Sequence, residues 1–399
     1  MANIAIMGFG TVGSGVAEVV HTNQDSIRRR TLEPVTVKYI LDTRDFPNSP
    51  YGHLVIHDFS IIEQDPDIQV VVECIGGCGV ALDFTRRALL AGKDVVTSNK
   101  ALVAAHGLEL LALAKEHGRN FLFEASVGGG IPVLRPLAFC LAGNRIEEIC
   151  GILNGTTNYI LTKMIRDGEQ FDDILKWAQE KGYAEADPTD DVEGKDACRK
   201  ICILAALAYG IHVYPEQVYT CGINGIRPQD VACADALGMQ IKLFGRTFLT
   251  EEGKIALYVS PHLIPNDKPL ASVEGVFNAI MIRGNAVGET MFYGRGAGKL
   301  PTASAVVGDV VDCILHREKR RAIDWEAGSG EEVVPFESLE LRWLVRTEAA
   351  AGAVAAALGP VEAVPGQNGA YVTGPVSKAK LDELREKGFS ILSAIPVLD

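Results

Sequence analysis

Near its amino terminus the chain reads Ile4-Ala5-Ile6-Met7-Gly8-Phe9-Gly10-Thr11-Val12-Gly13, a short apolar strand that runs into three spaced glycines. Gly8 permits a tight turn, Gly10 lets the backbone approach a pyrophosphate, and Gly13 allows close packing of the next helix on the strand. A pyrophosphate would then lie on the N–H groups at the start of that helix. A glycine turn that packs tightly and binds nothing is less consistent with this strand–turn–helix context. We therefore predict that a dinucleotide is bound by Gly8, Phe9, Gly10, Thr11, Val12 and Gly13.

Strands and helices alternate over the first 125 residues. Apolar runs predict strands at 4–7, 36–41, 70–74, 94–97 and 120–124, with helices at 12–30, 82–91 and 107–117. This βαβ rhythm is typical of a Rossmann-type, doubly wound parallel sheet with helices on both faces. We predict an α/β fold whose dinucleotide-binding domain spans residues 1–130, with a return of the chain at about 286–318.

The pattern changes after the first domain. Strands are predicted at 146–153, 241–248, 255–260 and 279–286, with helices at 157–167, 171–181, 194–209 and 229–237. These elements indicate a second, α+β domain for catalysis and dimerisation at 131–318. Residues 317–332 are polar and charged and are predicted to be a linker. The order βαββαβ over residues 335–399 is that of a small ferredoxin-like module.

Composition excludes several classes of function. The net charge of −13 gives no basic face for nucleic acid. The amino terminus lacks the basic and apolar regions of a signal peptide, and no run of 18 apolar residues suggests a membrane span. Nine scattered cysteines without zinc-site spacing are typical of thiols in a reducing compartment. We therefore predict a cytoplasmic enzyme with a small-molecule substrate and without nucleic-acid or membrane partners.

The choice between NAD and NADP depends on the end of the second strand. Asp42 could bind the ribose hydroxyls of NAD, Arg44 could meet the 2′-phosphate of NADP, and either could be a solvated loop charge, so the choice stays open. Farther along the chain, Ser98 and Lys100 lie at the carboxyl edge of the sheet, where a nicotinamide would lie. Lys100 could complement cofactor or substrate charge or take part in proton transfer.

The segment 178–200 reads AQEKGYAEADPTDDVEGKDACRK and concentrates charge. Pro188 and Gly194 place Glu185 on a loop, whereas Asp196 and Lys200 are four apart at the start of an apolar helix and share a face. A solvated charged loop is the simpler interpretation of such a run. The apolar continuation of the helix nevertheless places the pair beside buried structure, where a lysine can act as an acid or base.

This segment resembles the signature of the homoserine dehydrogenase family, from Ala178 through Gly182-Tyr183-Ala184-Glu185 and Asp187-Pro188 to Asp196 and Lys200. The stretches 155–160, 97–100 and 285–292 resemble the same family, so the similarity covers about residues 1–320. It implies NAD(P)H-dependent, reversible reduction of L-aspartate 4-semialdehyde to L-homoserine, in the biosynthesis of threonine, methionine and isoleucine.

The resemblance also implies roles for individual residues. Lys200 and Lys100 would lie near the reacting oxygen, with Lys200 as the proton donor. Glu185 and Asp196 would bind the amino and hydroxyl groups of the substrate. Gly182 and Gly288 resemble positions that line the nicotinamide end of the cofactor. The family expectation for assembly is a homodimer through the sheet of the second domain.

The turn at 124–132 resembles the monovalent-cation loop of the family. The implied ligands are the side chain of Glu124 and the carbonyls of Val127, Gly129 and Ile131, and oxygen ligands of this kind suit Na⁺. A glycine-rich interdomain hinge is the alternative, and one loop can serve both purposes.

The C-terminal module resembles an ACT domain in element order, but its first turn reads Arg346-Thr347-Glu348-Ala349 in place of the usual glycine turn. An amino-acid effector and a purely structural or dimerising role therefore both stay open. Two other functions remain as alternatives for the whole chain. One is a different amino-acid or sugar dehydrogenase with the same plan, and the other is a catalytically silent dinucleotide and amino-acid sensor.

Overall fold

The computed structural model describes residues 1–180 and 187–398. Its α-helices are, in chain order, α1 (Thr11–Thr22), α2 (Gln24–Thr31), α3 (Ser60–Gln64), α4 (Gly79–Leu90), α5 (Lys100–Glu116), α6 (Gly155–Asp167), α7 (Phe171–Glu180), α8 (Thr189–Val192), α9 (Lys195–Tyr209), α10 (Pro228–Ala236), α11 (Lys299–Leu315), α12 (Ala351–Leu358) and α13 (Lys378–Glu386). Its strands are β1 (Ala2–Met7), β2 (Val35–Leu41), β3 (Val55–Ile56), β4 (Ile68–Glu73), β5 (Asp94–Thr97), β6 (Phe121–Leu122), β7 (Ile146–Ile152), β8 (Ile211–His212), β9 (Tyr219–Thr220), β10 (Met239–Leu249), β11 (Ile255–Pro265), β12 (Phe277–Gly284), β13 (Gly288–Arg295), β14 (Glu326–Ala327), β15 (Glu340–Leu341), β16 (Trp343–Arg346), β17 (Val361–Ala363), β18 (Ala370–Thr373), β19 (Val376–Ser377) and β20 (Ser393–Pro396).

The chain forms two compact units, one of residues 1–144, 202–215 and 294–328 and the other of residues 145–201, 216–293 and 329–399. In the first unit six strands form a parallel sheet in the order β3-β2-β1-β4-β5-β6. The strand order reverses between β1 and β4, which is the point at which such sheets bind ligands. The predicted Rossmann-type sheet is confirmed.

Two helices of the first unit differ from the prediction. The helix predicted at 12–30 is divided at Asn23 into α1 and α2, in keeping with the preference of asparagine for helix ends over helix interiors. The helix predicted at 107–117 begins earlier, at Lys100, because the side chain of Asn99 accepts a hydrogen bond from the N–H of Leu102 at 3.1 Å. Lys100 is therefore the first residue of helix α5.

The predicted linker at 317–332 is only partly solvent-exposed. Trp325 is buried, and a Cβ on Gly107 would lie 2.6 Å from its ring, so the glycine gives the indole its space. The next two residues form β14, which pairs in parallel with β8. A polar composition did not reveal that one aromatic side chain anchors the segment in the first unit.

The second unit is built on a mixed sheet with the order β13-β12-β7-β10-β11-β9. Strand β7 pairs antiparallel with β10 and with β12, and β10 pairs antiparallel with β11, whereas β9 and β11 are parallel. A Cβ on Gly245 of β10 would lie 2.7 Å from the side chain of Leu153 and 3.1 Å from that of Ile201, so helix α9 packs closely on this face. The predicted α+β architecture is confirmed, and β13 is an edge strand that the sequence analysis missed.

The last 60 residues form a four-stranded antiparallel sheet in the order β17-β18-β16-β20, with α12 and α13 in the connections. This is the predicted βαββαβ arrangement. Its core includes Trp343 and Val345, which pack in one cluster with the fully buried Tyr258 of β11. The carboxylate of the buried Asp230, on α10, accepts hydrogen bonds from Arg346 Nε and Ser393 Oγ, each at 2.6 Å. The module is thus part of the second unit's core.

No helix in the described ranges is both long and apolar enough to cross a membrane. The nine cysteines, all of which lie in the described ranges, form no disulfide.

Candidate active site

The glycine turn between β1 and α1 has the geometry that its sequence predicts. Gly8 has a φ of +89°, and a Cβ on it would lie 2.7 Å from the carbonyl oxygen of Cys74. A Cβ on Gly13 would lie 1.9 Å from the carbonyl oxygen of Gly8. A Cβ on Gly10 would contact nothing within 4 Å, and no side chain caps the start of α1. The first N–H groups of α1 are therefore placed to bind an anion such as a pyrophosphate.

Asp42 and Arg44, which gave opposite indications for the cofactor, are in contact with each other. The carboxylate of Asp42 accepts hydrogen bonds from Phe9 N at 2.8 Å, from Arg44 N at 3.0 Å and from Arg44 Nε at 3.0 Å. Burial opposes ionisation of Asp42, but these hydrogen bonds outweigh it and lower the pKa of the carboxyl to about 2. The Arg44 side chain is 63% exposed, so it can leave the pair.

A histidine that the sequence analysis missed lies beside this pair. His57 Nδ1 is 2.7 Å from the carbonyl oxygen of Asp42, and Nε2 is 3.1 Å from Asp45 Oδ1. The hydrogen bond to the Asp42 carbonyl raises the pKa of the imidazole. His57 follows the short strand β3, which was not predicted, so its position next to Asp42 could not be inferred.

Glu73 is the second missed residue, and it connects two turns at the carboxyl edge of the parallel sheet. Its buried carboxylate accepts hydrogen bonds from Thr97 Oγ1 at 2.5 Å and from Ile75 N at 2.7 Å. Burial raises the pKa of this carboxyl. Thr97 Oγ1 in turn accepts a hydrogen bond from Asn99 N at 2.9 Å. Glu73 thereby fixes the turn that leads into α5.

Ser98 and Lys100 follow β5 at that same edge. Ser98 Oγ is 4.0 Å from the Sγ of Cys74, and both residues are half-buried. Lys100 is also half-buried and opens α5 directly after the capping residue Asn99. The structure therefore places both predicted residues at the carboxyl end of the strands, Ser98 in the turn that Glu73 holds and Lys100 at the start of the helix that follows it.

In the second unit the structure brings Asp196 and Lys200 together. Lys200 Nζ donates to Asp196 Oδ2 at 2.6 Å and to the carbonyl oxygen of Leu153 at 2.7 Å. Lys200 is 8% exposed and Asp196 is 3% exposed. The pair is therefore a buried, hydrogen-bonded ion pair on the first turns of α9 and is not part of a solvated loop.

Asn154 and Asp191 extend this cluster, and the sequence analysis gave them no role. Asn154 Nδ2 donates to Asp191 Oδ1 at 2.7 Å and to Asp196 Oδ2 at 2.9 Å. Burial raises the pKa of Asp191, and the charge of Asp196 raises it further. An Asn-Gly pair ahead of a helix is a capping signal as well as a turn signal, and this could have indicated Asn154.

Three further residues were predicted to bind substrate or cofactor, namely Glu185, Gly182 and Gly288. Glu185 and Gly182 lie outside the described residues. Gly288 is the first residue of the edge strand β13 and has a φ of +73°.

The predicted cation loop lies in the first unit and is almost entirely buried. The Glu124 carboxylate accepts backbone N–H groups from Val133 at 2.6 Å, Leu134 at 2.8 Å and Arg135 at 2.7 Å. In the described part of the chain, no backbone N–H donates a hydrogen bond to the carbonyls of Val127, Gly129 and Ile131. Within the same part, no group of three or more His, Cys, Asp or Glu side chains could hold a metal. The loop thus offers carbonyl oxygens and one carboxylate, which suits only a hard, weakly bound cation.

Asp309 of α11 bonds to Glu124 at the start of this loop and to Arg135 beyond its end. Its Oδ2 accepts the N–H of Glu124 at 2.8 Å, and its Oδ1 pairs with Arg135. Burial raises the pKa of Asp309 to about 7, although the charge of Arg135 opposes the shift. The sequence analysis missed Asp309 because it is 185 residues away from Glu124.

The parallel sheet, the glycine turn and the buried lysine–carboxylate pair define a dinucleotide-dependent oxidoreductase. A family model described as "Homoserine dehydrogenase, NAD binding domain" matches residues 8–124, and one described as "Homoserine dehydrogenase" matches residues 132–311. The chain belongs to the homoserine dehydrogenase family.

Individual relatives agree with this assignment. The homoserine dehydrogenase of Pseudomonas aeruginosa is 44% identical over 354 residues, which are 87% of this chain and 81% of the relative. A crystal structure of a homoserine dehydrogenase from Thiobacillus denitrificans has a TM-score of 0.90 at 35% identity and covers 100% of this chain and 98% of its own. A hyperthermophilic archaeal homoserine dehydrogenase in complex with NADPH has a TM-score of 0.67 at 31% identity, over 80% of this chain and 99% of its own.

Proposed function

We propose that this chain catalyses the reversible reduction of L-aspartate 4-semialdehyde to L-homoserine, on the route to threonine, methionine and isoleucine. The observation that carries the proposal is the buried ammonium of Lys200, 2.6 Å from Asp196 Oδ2. When bound, the nicotinamide dinucleotide supplies or accepts the hydride. The chain itself has to orient the aldehyde and deliver a proton to its oxygen.

Lys200 is the proton donor in this proposal. Three lysines are buried in the described ranges, Lys93, Lys200 and Lys242. Burial lowers the pKa of Lys93 and lowers that of Lys242 to about 8. Both ammonium groups donate to neutral acceptors, which are backbone carbonyls and, for Lys242, also Asn158 Oδ1. Within those ranges, Lys200 is the buried lysine that is paired with a carboxylate. Such a partner favours the protonated form, and an ammonium also stabilises the alkoxide that develops during reduction.

The remaining site residues would bind substrate and cofactor. Asp196 and Glu185 would supply carboxylates for the amino and hydroxyl groups of the substrate, and Lys100 would complement charge on the substrate or cofactor. Gly182 and Gly288 would bind the nicotinamide end of the cofactor. These roles are supported by the family membership and, for Asp196 and Lys100, by burial at the ends of their helices.

We propose that the enzyme accepts both NAD and NADP. Arg44 occupies lone pairs of the Asp42 carboxylate, so Asp42 can bind ribose hydroxyls only when Arg44 moves away. The Arg44 side chain is 63% exposed, whereas that of Asp42 is 7% exposed, so it is the guanidinium that can be released into solvent. The released guanidinium can then bind the 2′-phosphate of NADP bidentately. The archaeal relative solved with NADPH agrees with this use of the phosphorylated cofactor.

Arg44→Ala is expected to raise the KM for NADP about 10- to 100-fold, because a hydrogen-bonded charge pair with the phosphate is lost. The KM for NAD should not rise, because Asp42 no longer has to release the Arg44 side chain before it binds the ribose hydroxyls. Steady-state kinetics with each dinucleotide measure both effects, and Arg29→Ala, at an exposed position on α2, is the control for the change in charge. Equal effects of Arg44→Ala on both cofactors would show that Arg44 does not contact the phosphate.

The cation loop is proposed to hold Na⁺ through the carbonyls of Val127, Gly129 and Ile131. Support comes from their burial and from the absence, in the described chain, of a backbone N–H that donates to these oxygens. Three backbone N–H groups compete for the Glu124 carboxylate, so this ligand is shared with the protein. The ion would bind the Glu124 carboxylate together with the three carbonyl groups that precede residue 132.

The assembly is proposed to be a homodimer. The edge strand β13 exposes Met291 and Tyr293, and Val287 precedes it at 46% exposure. An unpaired strand edge with apolar side chains favours pairing with a second copy.

Because the cysteines form no disulfide, we also keep the cytoplasmic location as a proposal.

An amino-acid effector has less support than these assignments. The turn after β16 is closed by its own hydrogen bonds, in which Thr347 N donates to Gly369 O at 2.7 Å and Thr347 Oγ1 accepts from Ala349 N at 3.0 Å. A structural role for the ACT-like module is therefore the better-supported proposal, and threonine inhibition is the test of the other.

The proposed activity is tested by the oxidation of L-homoserine with NAD and with NADP in parallel, with Na⁺ titrated and threonine added. We expect turnover with both dinucleotides, a higher rate with Na⁺ and little effect of threonine. Binding of dinucleotide without homoserine turnover would favour the catalytically silent sensor. Turnover of other amino or hydroxy acids but not homoserine would favour a different dehydrogenase of this plan.

A further inference from the structure

Asn154 makes more hydrogen bonds than a helix cap requires. Its Oδ1 accepts the N–H of Thr157 at 2.9 Å and so caps the start of α6. Its Nδ2 donates in addition to Asp191 at 2.7 Å and to Asp196 at 2.9 Å. An amide nitrogen has two hydrogens, so these two carboxylates use its full capacity. Asn154 is 6% exposed, and both functions are therefore performed away from bulk water.

The bridged carboxylates are close enough to influence each other. Burial raises the pKa of Asp191, and the negative charge of Asp196 raises it further. Two buried carboxylates without a donor between them tend to share a proton. Among the described residues, the charged groups that bond to the amide or to its partners are Asp191 of α8 and Asp196 with Lys200 of α9.

The ion pair of Lys200 depends on this arrangement. Asp196 Oδ2 accepts both from Asn154 Nδ2 and from Lys200 Nζ. If Asp196 became protonated, Lys200 would lose its charged partner, and its ammonium form would be less favoured. The amide therefore acts on the lysine through the carboxylate and does not have to touch the substrate.

We propose that Asn154 is a positioning residue for proton transfer, whose amide N–H groups keep Asp191 and Asp196 ionised side by side and so hold Lys200 protonated and oriented. This inference rests on the proposed role of Lys200 as the proton donor. It adds Asn154 and Asp191 to the machinery of the reaction.

Asn154→Ser separates the two functions of the side chain. Serine is a good helix cap, so α6 should be retained, but it cannot donate to two carboxylates at this reach. We expect kcat to fall about 10- to 100-fold, because a buried charged group loses its donor. The acidic limb of the kcat–pH profile should move up by about one pH unit, because the carboxylates ionise less readily. The KM for the dinucleotide should not change.

Asn158→Ser is the matched control, because Asn158 lies one turn further along α6 and is equally buried. Its Nδ2 donates to the carbonyls of Val273 at 3.2 Å and Phe277 at 3.1 Å and so contacts no carboxylate. We expect a lower melting temperature without a shift of the pH profile. Asn154→Asp keeps the cap and the shape but adds a third carboxylate, so its shift should exceed that of Asn154→Ser.

A second readout does not depend on activity. A carboxyl group whose pKa is raised in the folded state makes folding less favourable as pH rises above its unfolded pKa. The deficit in melting temperature of Asn154→Ser should therefore grow from about pH 4 to pH 7, whereas that of Asn158→Ser should stay constant. A wild-type kcat–pH profile and a pH-independent deficit for Asn154→Ser would overturn the proposal, as would the same shift in Asn158→Ser. An inactive wild-type enzyme would refute the proposed function, and the stability readout would still decide the role of Asn154.

Discussion

Lys200→Met is expected to lower kcat about 10²- to 10⁴-fold, which is the range for the loss of a general acid. Methionine keeps the length and apolar stem of lysine but removes the ammonium that pairs with Asp196 at 2.6 Å. Dinucleotide affinity should stay near the wild-type value, because the glycine turn is unaffected. Stopped-flow measurement of hydride transfer and fluorescence titration of the dinucleotide separate the two quantities.

The control for this variant is Lys242→Met. Lys242 is fully buried on β10, and its ammonium donates to Val273 O at 2.6 Å. Removing it tests whether the loss of any buried ammonium from the second unit is sufficient to abolish turnover. We expect stability to change and kcat per folded enzyme to remain close to wild type. A wild-type kcat for Lys200→Met would show that another group protonates the substrate.

Gly10→Ala is expected to weaken dinucleotide binding about 100-fold while leaving the apoprotein as stable as the wild type. A Cβ at this position meets no protein atom within 4 Å, so the fold accepts it. The same methyl group would occupy the space through which a pyrophosphate approaches the start of α1. Calorimetric titration with NAD and NADP gives the affinity, and thermal unfolding without cofactor gives the stability; the 100-fold loss corresponds to about 2.7 kcal/mol.

Gly13→Ala provides the contrast. Its Cβ would lie 1.9 Å from the carbonyl oxygen of Gly8, so the turn has to open and stability should fall along with affinity. The two variants therefore separate a glycine that the cofactor needs from one that the fold needs. Undiminished affinity in Gly10→Ala would contradict binding of the pyrophosphate at this turn.

Much of the fold could be predicted from the sequence because the relevant signals are local. The strands buried on both faces read as continuous apolar runs, as in β4, and the βαβ rhythm then determines a parallel sheet. Helix boundaries were less accurate, because the start of α5 depends on capping by the single side chain of Asn99, and the break at Asn23 involves no side-chain cap. The edge strand β13 was missed, since alternating exposure leaves few apolar residues to detect.

The candidate site was only partly predictable for a different reason. Asp196 and Lys200 share a helix, so their contact follows from spacing alone. Glu73 acts across to Thr97, and Asn154 acts across to Asp191 and Asp196, so these contacts require tertiary structure. The hydrogen bond between Asp42 and Arg44 was likewise not predicted from the sequence, in which the two residues were opposing indications for the cofactor.

The most direct test of the account is a crystal structure of the enzyme with a nicotinamide dinucleotide and L-homoserine bound. The proposed chemistry predicts the pyrophosphate on the N–H groups of α1 and the substrate hydroxyl oxygen about 2.6–3.2 Å from Lys200 Nζ. A hydroxyl oxygen held by another acid, with Lys200 Nζ beyond hydrogen-bonding distance, would contradict it.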